Sequence, residues 1–122
     1  SQIIKENLAD TKSKKNYEVL KFSAAEEGFI KFGLDVPGEG DYNLYISYFK
    51  GKNCGDFQVN QRQIPLKNIS GFAPENTFVE KEPAGKLSIK SGTNTITITL
   101  KGNKDRKAIK SIYVHRLYLE RL

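Results

Sequence analysis

The chain has 122 residues, 38% of them hydrophobic, with 7 Phe, 6 Tyr, no Trp and no Met. That length suits one domain that buries a core without staples, and the modest apolar content suits a thin core between two packed sheets. The single Cys54 excludes an intrachain disulfide, the single His115 excludes a Cys/His metal cluster, and no apolar run approaches the ~20 residues that span a bilayer.

In chain order, Ile3–Asp10 could hold a short helical turn, although it lacks a long apolar stripe. Everything after it reads as strand. Tyr17–Phe22 sets Tyr17, Val19 and Lys21 against Glu18, Leu20 and Phe22. Gly28–Asp35 sets Phe29, Lys31, Gly33 and Asp35 opposite Ile30, Phe32 and Leu34, and the second set is the predicted core face. Pro37-Gly38-Glu39-Gly40-Asp41 is a dense turn signal. Tyr42–Phe49 follows, with Tyr42, Leu44, Ile46 and Tyr48 on one face.

Lys50–Gly55 is a polar loop, and Asp56–Val59 is a strand carrying Phe57 and Val59. Asn60-Gln61 stands where a hairpin turn belongs, because Asn tolerates the left-handed conformation. Gln63–Leu66 returns, Lys67–Thr77 is a longer loop, and Phe78–Val79 and Lys86–Lys90 are short strands. Ser91-Gly92 turns into Thr95–Leu100, where Ile96, Ile98 and Leu100 oppose Thr95, Thr97 and Thr99. That alternation reads as a half-buried strand with a wet face. Lys101–Lys110 is a basic loop and Ser111–Leu119 a long final strand. About eight strands with frequent turns and no helix between them predict an all-β antiparallel sandwich. One domain is expected over residues 1–122, with its core at 17–119.

The net charge of +6 favours anionic partners. The charge gathers at Lys12, Lys14 and Lys15, and again at Lys101, Lys104, Arg106, Lys107 and Lys110. The second cluster contains no aromatic residue, whereas single-stranded nucleic acid is held by cations interleaved with exposed rings. Nucleic acid is therefore not the expected partner. The lack of any Met or signal pattern leads us to expect a domain excised from a larger protein.

Three phrases fall in a telling order. They are Pro37-Gly38-Glu39-Gly40-Asp41-Tyr42-Asn43-Leu44-Tyr45-Ile46-Ser47-Tyr48, then Gly55-Asp56-Phe57-Gln58-Val59-Asn60-Gln61-Arg62, then Gly92-Thr93-Asn94-Thr95-Ile96-Thr97-Ile98. Together they resemble the galactose-binding-like jelly rolls, in particular the carbohydrate-binding modules of families 6 and 35 and related accessory domains of bacterial glycoside hydrolases. The resemblance covers Tyr17 to Leu119. It implies a jelly-roll β-sandwich and a non-catalytic module that holds a parent enzyme near polysaccharide. It also implies a secreted, periplasmic or cell-surface setting in a bacterium. The partners it implies are a polysaccharide or oligosaccharide and the catalytic domain of the same polypeptide, with no membrane. A structural domain without a ligand, packing on a catalytic domain or building an oligomer, is the alternative.

The departures from the family pattern matter. Gln61 replaces the usual Gly of the hairpin, and His115 replaces an acidic residue of the last strand that helps hold a structural calcium in families 6 and 35. Neutral imidazole is a poor calcium ligand. Glu6, Asp10 and Glu18 are loose candidates for the other ligand, so no calcium and no other cofactor is predicted.

Sugar sites in the resembled modules lie in loops at one end of the sandwich. Here those loops offer Asn103 before the last strand, flanked by Lys101 and Lys104, with Phe72 as a ring platform and Asn53 beside the Lys50–Gly55 loop. If the basic loop contributes, an acidic glycan is favoured. Catalysis is not expected. Glu26-Glu27 is the only adjacent acidic pair and sits in a turn, and nothing in the pattern brings Cys54 to His115.

Overall fold

The structure is a computed structural model that describes residues 2–24, 28–34, 36, 38–90, 94–101 and 109–122. Among the described residues nine strands run in chain order: β1 (Gln2–Ala9), β2 (Asn16–Ala24), β3 (Phe29–Leu34), β4 (Gly40–Lys50), β5 (Asp56–Gln61), β6 (Ile64–Ile69), β7 (Thr77–Ile89), β8 (Asn94–Lys101) and β9 (Lys110–Arg121). They form a five-stranded sheet, β1-β2-β9-β4-β7, and a four-stranded sheet, β3-β8-β5-β6, all neighbours antiparallel. Apart from the β1–β2 and β5–β6 hairpins, each strand is followed by one in the opposite sheet. This is the predicted jelly-roll sandwich.

Period-two alternation builds the core. Tyr42, Leu44, Ile46 and Tyr48 of β4 face Phe57 and Val59 of β5 and Ile96, Ile98 and Leu100 of β8, and all of them are buried. Each fully buried aliphatic or aromatic side chain contributes roughly 1.5–3 kcal/mol. The Tyr48 and Phe57 rings meet edge-on at 5.4 Å, and the Tyr48 hydroxyl donates to Glu82 Oε1 at 3.3 Å. A second aromatic cluster gathers Tyr17, Phe49, Phe78 and His115, with Tyr17 stacked on Phe78 at 3.8 Å.

Three expectations are corrected. Residues 2–9 form a strand rather than a helical turn, because all eight pair with β2 from Gln2↔Ser23 to Ala9↔Asn16. The β5–β6 turn falls on Arg62-Gln63 instead of Asn60-Gln61. Gln61 still pairs with Ile64, and Arg62 takes the left-handed conformation at φ 57°. The two short strands around Pro83 are one strand, β7, whose pairing with β4 shifts register at two places. The shift between Gly85 and Pro83 absorbs both, with Gly85 at φ 120°, where an unbroken ladder would exclude them.

Candidate functional site

The outward face of the four-stranded sheet carries an organised polar surface. Antiparallel register lines its side chains into rows. Phe29 of β3 lies opposite Thr99 of β8, Thr99 opposite Gln58 of β5, and Gln58 opposite Asn68 of β6. The next row runs Lys31, Thr97, Asn60 and Pro65. A third begins at Gly33 and Thr95 and meets the hairpin turn, where the Arg62 backbone N–H donates to Thr95 O at 3.4 Å. The rows enclose an open groove of about 610 Å³.

The floor of the groove is fixed by its own hydrogen bonds. Asn60 is only 8% exposed, and its Nδ2 donates to Thr99 Oγ1 at 3.3 Å and to Gln58 O at 3.5 Å. Gln58 Nε2 donates to Asn68 Oδ1 at 3.1 Å. Three threonine hydroxyls stand over this floor, each able to donate and accept. At the groove's edge Phe29 is 57% exposed, with Lys31 Nζ 5.6 Å from its ring centroid. A large exposed ring beside ordered hydroxyls and amides can stack on an apolar ring face while the polar groups meet hydroxyls. Phe29, Lys31, Gln58 and Asn60 were not expected as site residues. The wet face of β8 and the outward side of β3 are legible as faces, but nothing in the sequence makes β3, β8 and β5 neighbours.

The loop end holds Asn53 and Phe72, two of the residues expected there. Gly51 bridges Phe72 and Cys54 bridges Ser111, so the 50–55 and 70–76 loops and the start of β9 are pinned together. The Gly51 N–H donates to Gly71 O at 3.0 Å, and Ser111 N–H to Asn53 O at 2.9 Å. A Cβ at Gly71 would collide with the Gly55 carbonyl oxygen, so only glycine permits this approach. Asn53 lines a cleft of about 370 Å³ together with Thr11, Lys52, Glu75, Asn76 and Tyr113. Phe72, 61% exposed, lies on the adjoining loop but outside that lining. Lys101 ends β8 opposite Asp56. Asn103 and Lys104 lie outside the described residues, as do Glu26 and Glu27.

Cys54 and His115, a nucleophile and a base by residue type, are separately engaged. Burial pushes the Cys54 thiol up to about 11, against the smaller opposing pull of Lys110 and Lys21. A thiol so placed stays protonated at neutral pH and is a poor nucleophile. The His115 ring packs on Tyr17 and Phe78, and its Nδ1 lies 2.8 Å from Glu18 O. Among the described residues no group of three or more His, Cys, Asp or Glu side chains could hold a metal. Asp10 spends its two carboxylate oxygens on backbone N–H groups of Phe78 and Ser13.

The fold and the groove together define an all-β sandwich with an open polar face. Residues 1–122 match the family described as a domain of unknown function (DUF8441), and the chain belongs to that family. Among solved structures it is similar to a Paenibacillus xanthan lyase, at 16% identity and a TM-score of 0.76. The match covers 99% of this chain but only 12% of that one, so the chain spans a small part of the lyase's length. No curated protein sequence matches it.

Proposed function

We propose that the domain is a non-catalytic glycan-binding module of a larger polysaccharide-degrading enzyme, and that it takes a glycan along the outer groove of the four-stranded sheet. The observation that carries this reading is the half-exposed Phe29 ring at the head of a row of Thr99, Gln58 and Asn68. Sugar rings present apolar C–H faces and hydroxyl rims, and this row offers a partner to each. Among the described residues the groove lining contains no carboxylate, which speaks against acid–base glycosidase chemistry there. The likeness to one part of a xanthan lyase agrees with an accessory place in a longer chain.

Under this reading the module acts by holding its parent enzyme near polysaccharide and raising the effective concentration of substrate. Its setting is then the outside or periplasm of a bacterium. Asn53, Phe72 and Lys101, with Asn103 and Lys104, are proposed as a second contact region at the loop end.

A structural role is the second reading, favoured by the outward face of the five-stranded sheet. There Tyr45 pairs with Tyr118, and Lys81 Nζ lies 4.4 Å from the Tyr45 ring centroid. Such a half-buried tyrosine face suits docking on a neighbouring domain.

Affinity electrophoresis against a panel of neutral and acidic polysaccharides tests the first reading. Retardation by at least one, weakened about tenfold in Phe29→Ala with an unchanged melting midpoint, is the expected result. Retardation by none rejects it in favour of docking.

A further inference from the structure

Resting on the glycan-binding reading, we infer that the groove selects glycans bearing carboxylates, with Lys31 and Arg62 reading the charge and Phe29 supplying the platform. Among the described residues the lining carries these two cations and no anion, and its remaining members are amides, threonines, Pro65 and Phe29. Among the described residues neither cation is paired with a carboxylate; the ion pair formed, Lys81–Glu120, lies on the other sheet.

The position of Lys31 decides between ligand classes. Its ammonium stands over the Phe29 ring, on the surface where a sugar would stack. A neutral sugar displaces the ammonium and gives nothing back for the lost cation–π contact. A sugar acid stacked on the same ring replaces that contact with a charge-assisted hydrogen bond to the displaced ammonium.

Arg62 lies one row along and two strands across from Lys31. Strand and residue spacings put the two Cα atoms about 12 Å apart, so the two cations anchor at separate points along the groove. The arrangement fits a chain with recurring acidic groups. Gly33, in the same row as Thr95, has nothing within 4 Å of where a Cβ would stand. The floor at that end is therefore open to a ligand.

The test uses the whole chain with alginate, polygalacturonate and glucuronoxylan, each beside its carboxyl-reduced counterpart, in calorimetry at low and high salt. We expect at least one uronate polymer to bind and its reduced form to bind roughly tenfold more weakly. Lys31→Gln should erase most of that difference by weakening the native polymer, with the reduced polymer bound no more weakly than by wild type. Equal binding of native and reduced polymers, or binding of neutral forms alone, overturns this inference and leaves the glycan reading standing. Binding to no member of either set overturns both. Retention by dextran sulfate or single-stranded DNA as strong as by the uronate, and unchanged in Phe29→Ala, assigns the surface to bare charge and also overturns it.

Discussion

Asp10 Oδ1 accepts the backbone N–H of Phe78 at 2.8 Å, and this one bond ties together the two opposite edges of the five-stranded sheet. Asp10 follows β1, and Phe78 lies near the start of β7. The second oxygen accepts the Ser13 N–H at 2.8 Å, and the Thr11 N–H reaches Asn76 O at 2.9 Å. The Phe78 ring, held from behind by this clasp, stacks on Tyr17.

These N–H groups, Phe78 first and Ser13 next, hold the Asp10 carboxyl below its ordinary value of 3.8. A carboxyl depressed by folding contributes stability that is complete above its unfolded value and is lost as pH falls through the folded one. The clasp is therefore intact at neutral pH and weakens only below about pH 4. Asp10→Asn should lower the urea midpoint at pH 7 and flatten the acid limb of the stability profile. An acid limb identical to wild type would show that another group governs it.

The sandwich core should respond as a close-packed one. Ile98 is fully buried at the centre of β8, paired with Ile30 on one side and Val59 on the other. Ile98→Ala should cost about 2–5 kcal/mol in denaturant unfolding. Tyr48→Phe removes only the hydroxyl that donates to Glu82 and should cost about 1 kcal/mol.

Two glycines should behave oppositely. Gly71→Ala drives a Cβ into the Gly55 carbonyl and should loosen the pinned loop end, with a lower melting midpoint. Gly33→Ala meets open space and should leave the unfolding free energy within a few tenths of a kcal/mol of wild type or slightly raise it. Gly33→Tyr, whose Cβ meets the same open space, should obstruct the groove and reduce glycan retention. Thermal melting and affinity electrophoresis on the three variants check this contrast.

Cys54 should be slow toward thiol reagents. Burial pushes its thiol up to about 11, so alkylation by iodoacetamide at pH 8 should lag far behind that of a free thiol. Reactivity should return in denaturant. Fast labelling of the native protein would mean that the loop end opens.

Much of this fold is written locally. The β8 strand announces itself because its threonines and aliphatic residues alternate without interruption, and β4 does the same with Tyr42, Leu44, Ile46 and Tyr48. By contrast β1, with Lys5, Glu6 and Asn7 in its middle, has no pattern of its own and becomes a strand only through its partner β2. Pro83 and Gly85 read as a break because sequence offers no sign that a bulge will accommodate them. The groove was half legible. Outward Phe29 and Lys31 and the threonine face are visible as periodicity, but long-range pairing alone brings β3, β8 and β5 side by side. The loop-end residues drew attention through a resemblance, whereas the groove follows from register.

The repeated crossing from one sheet to the other also shapes how the chain reaches its native state. Only the β1–β2 and β5–β6 pairs join neighbours in sequence; every other pairing waits for distant segments to meet. Loop closure must precede the contacts that reward it, which places folding on the millisecond-to-second scale of all-β sandwiches rather than the microsecond scale of helical bundles. While the chain is still searching, the long β7 and the apolar β8 stand unpaired, so refolding yield should fall as protein concentration rises.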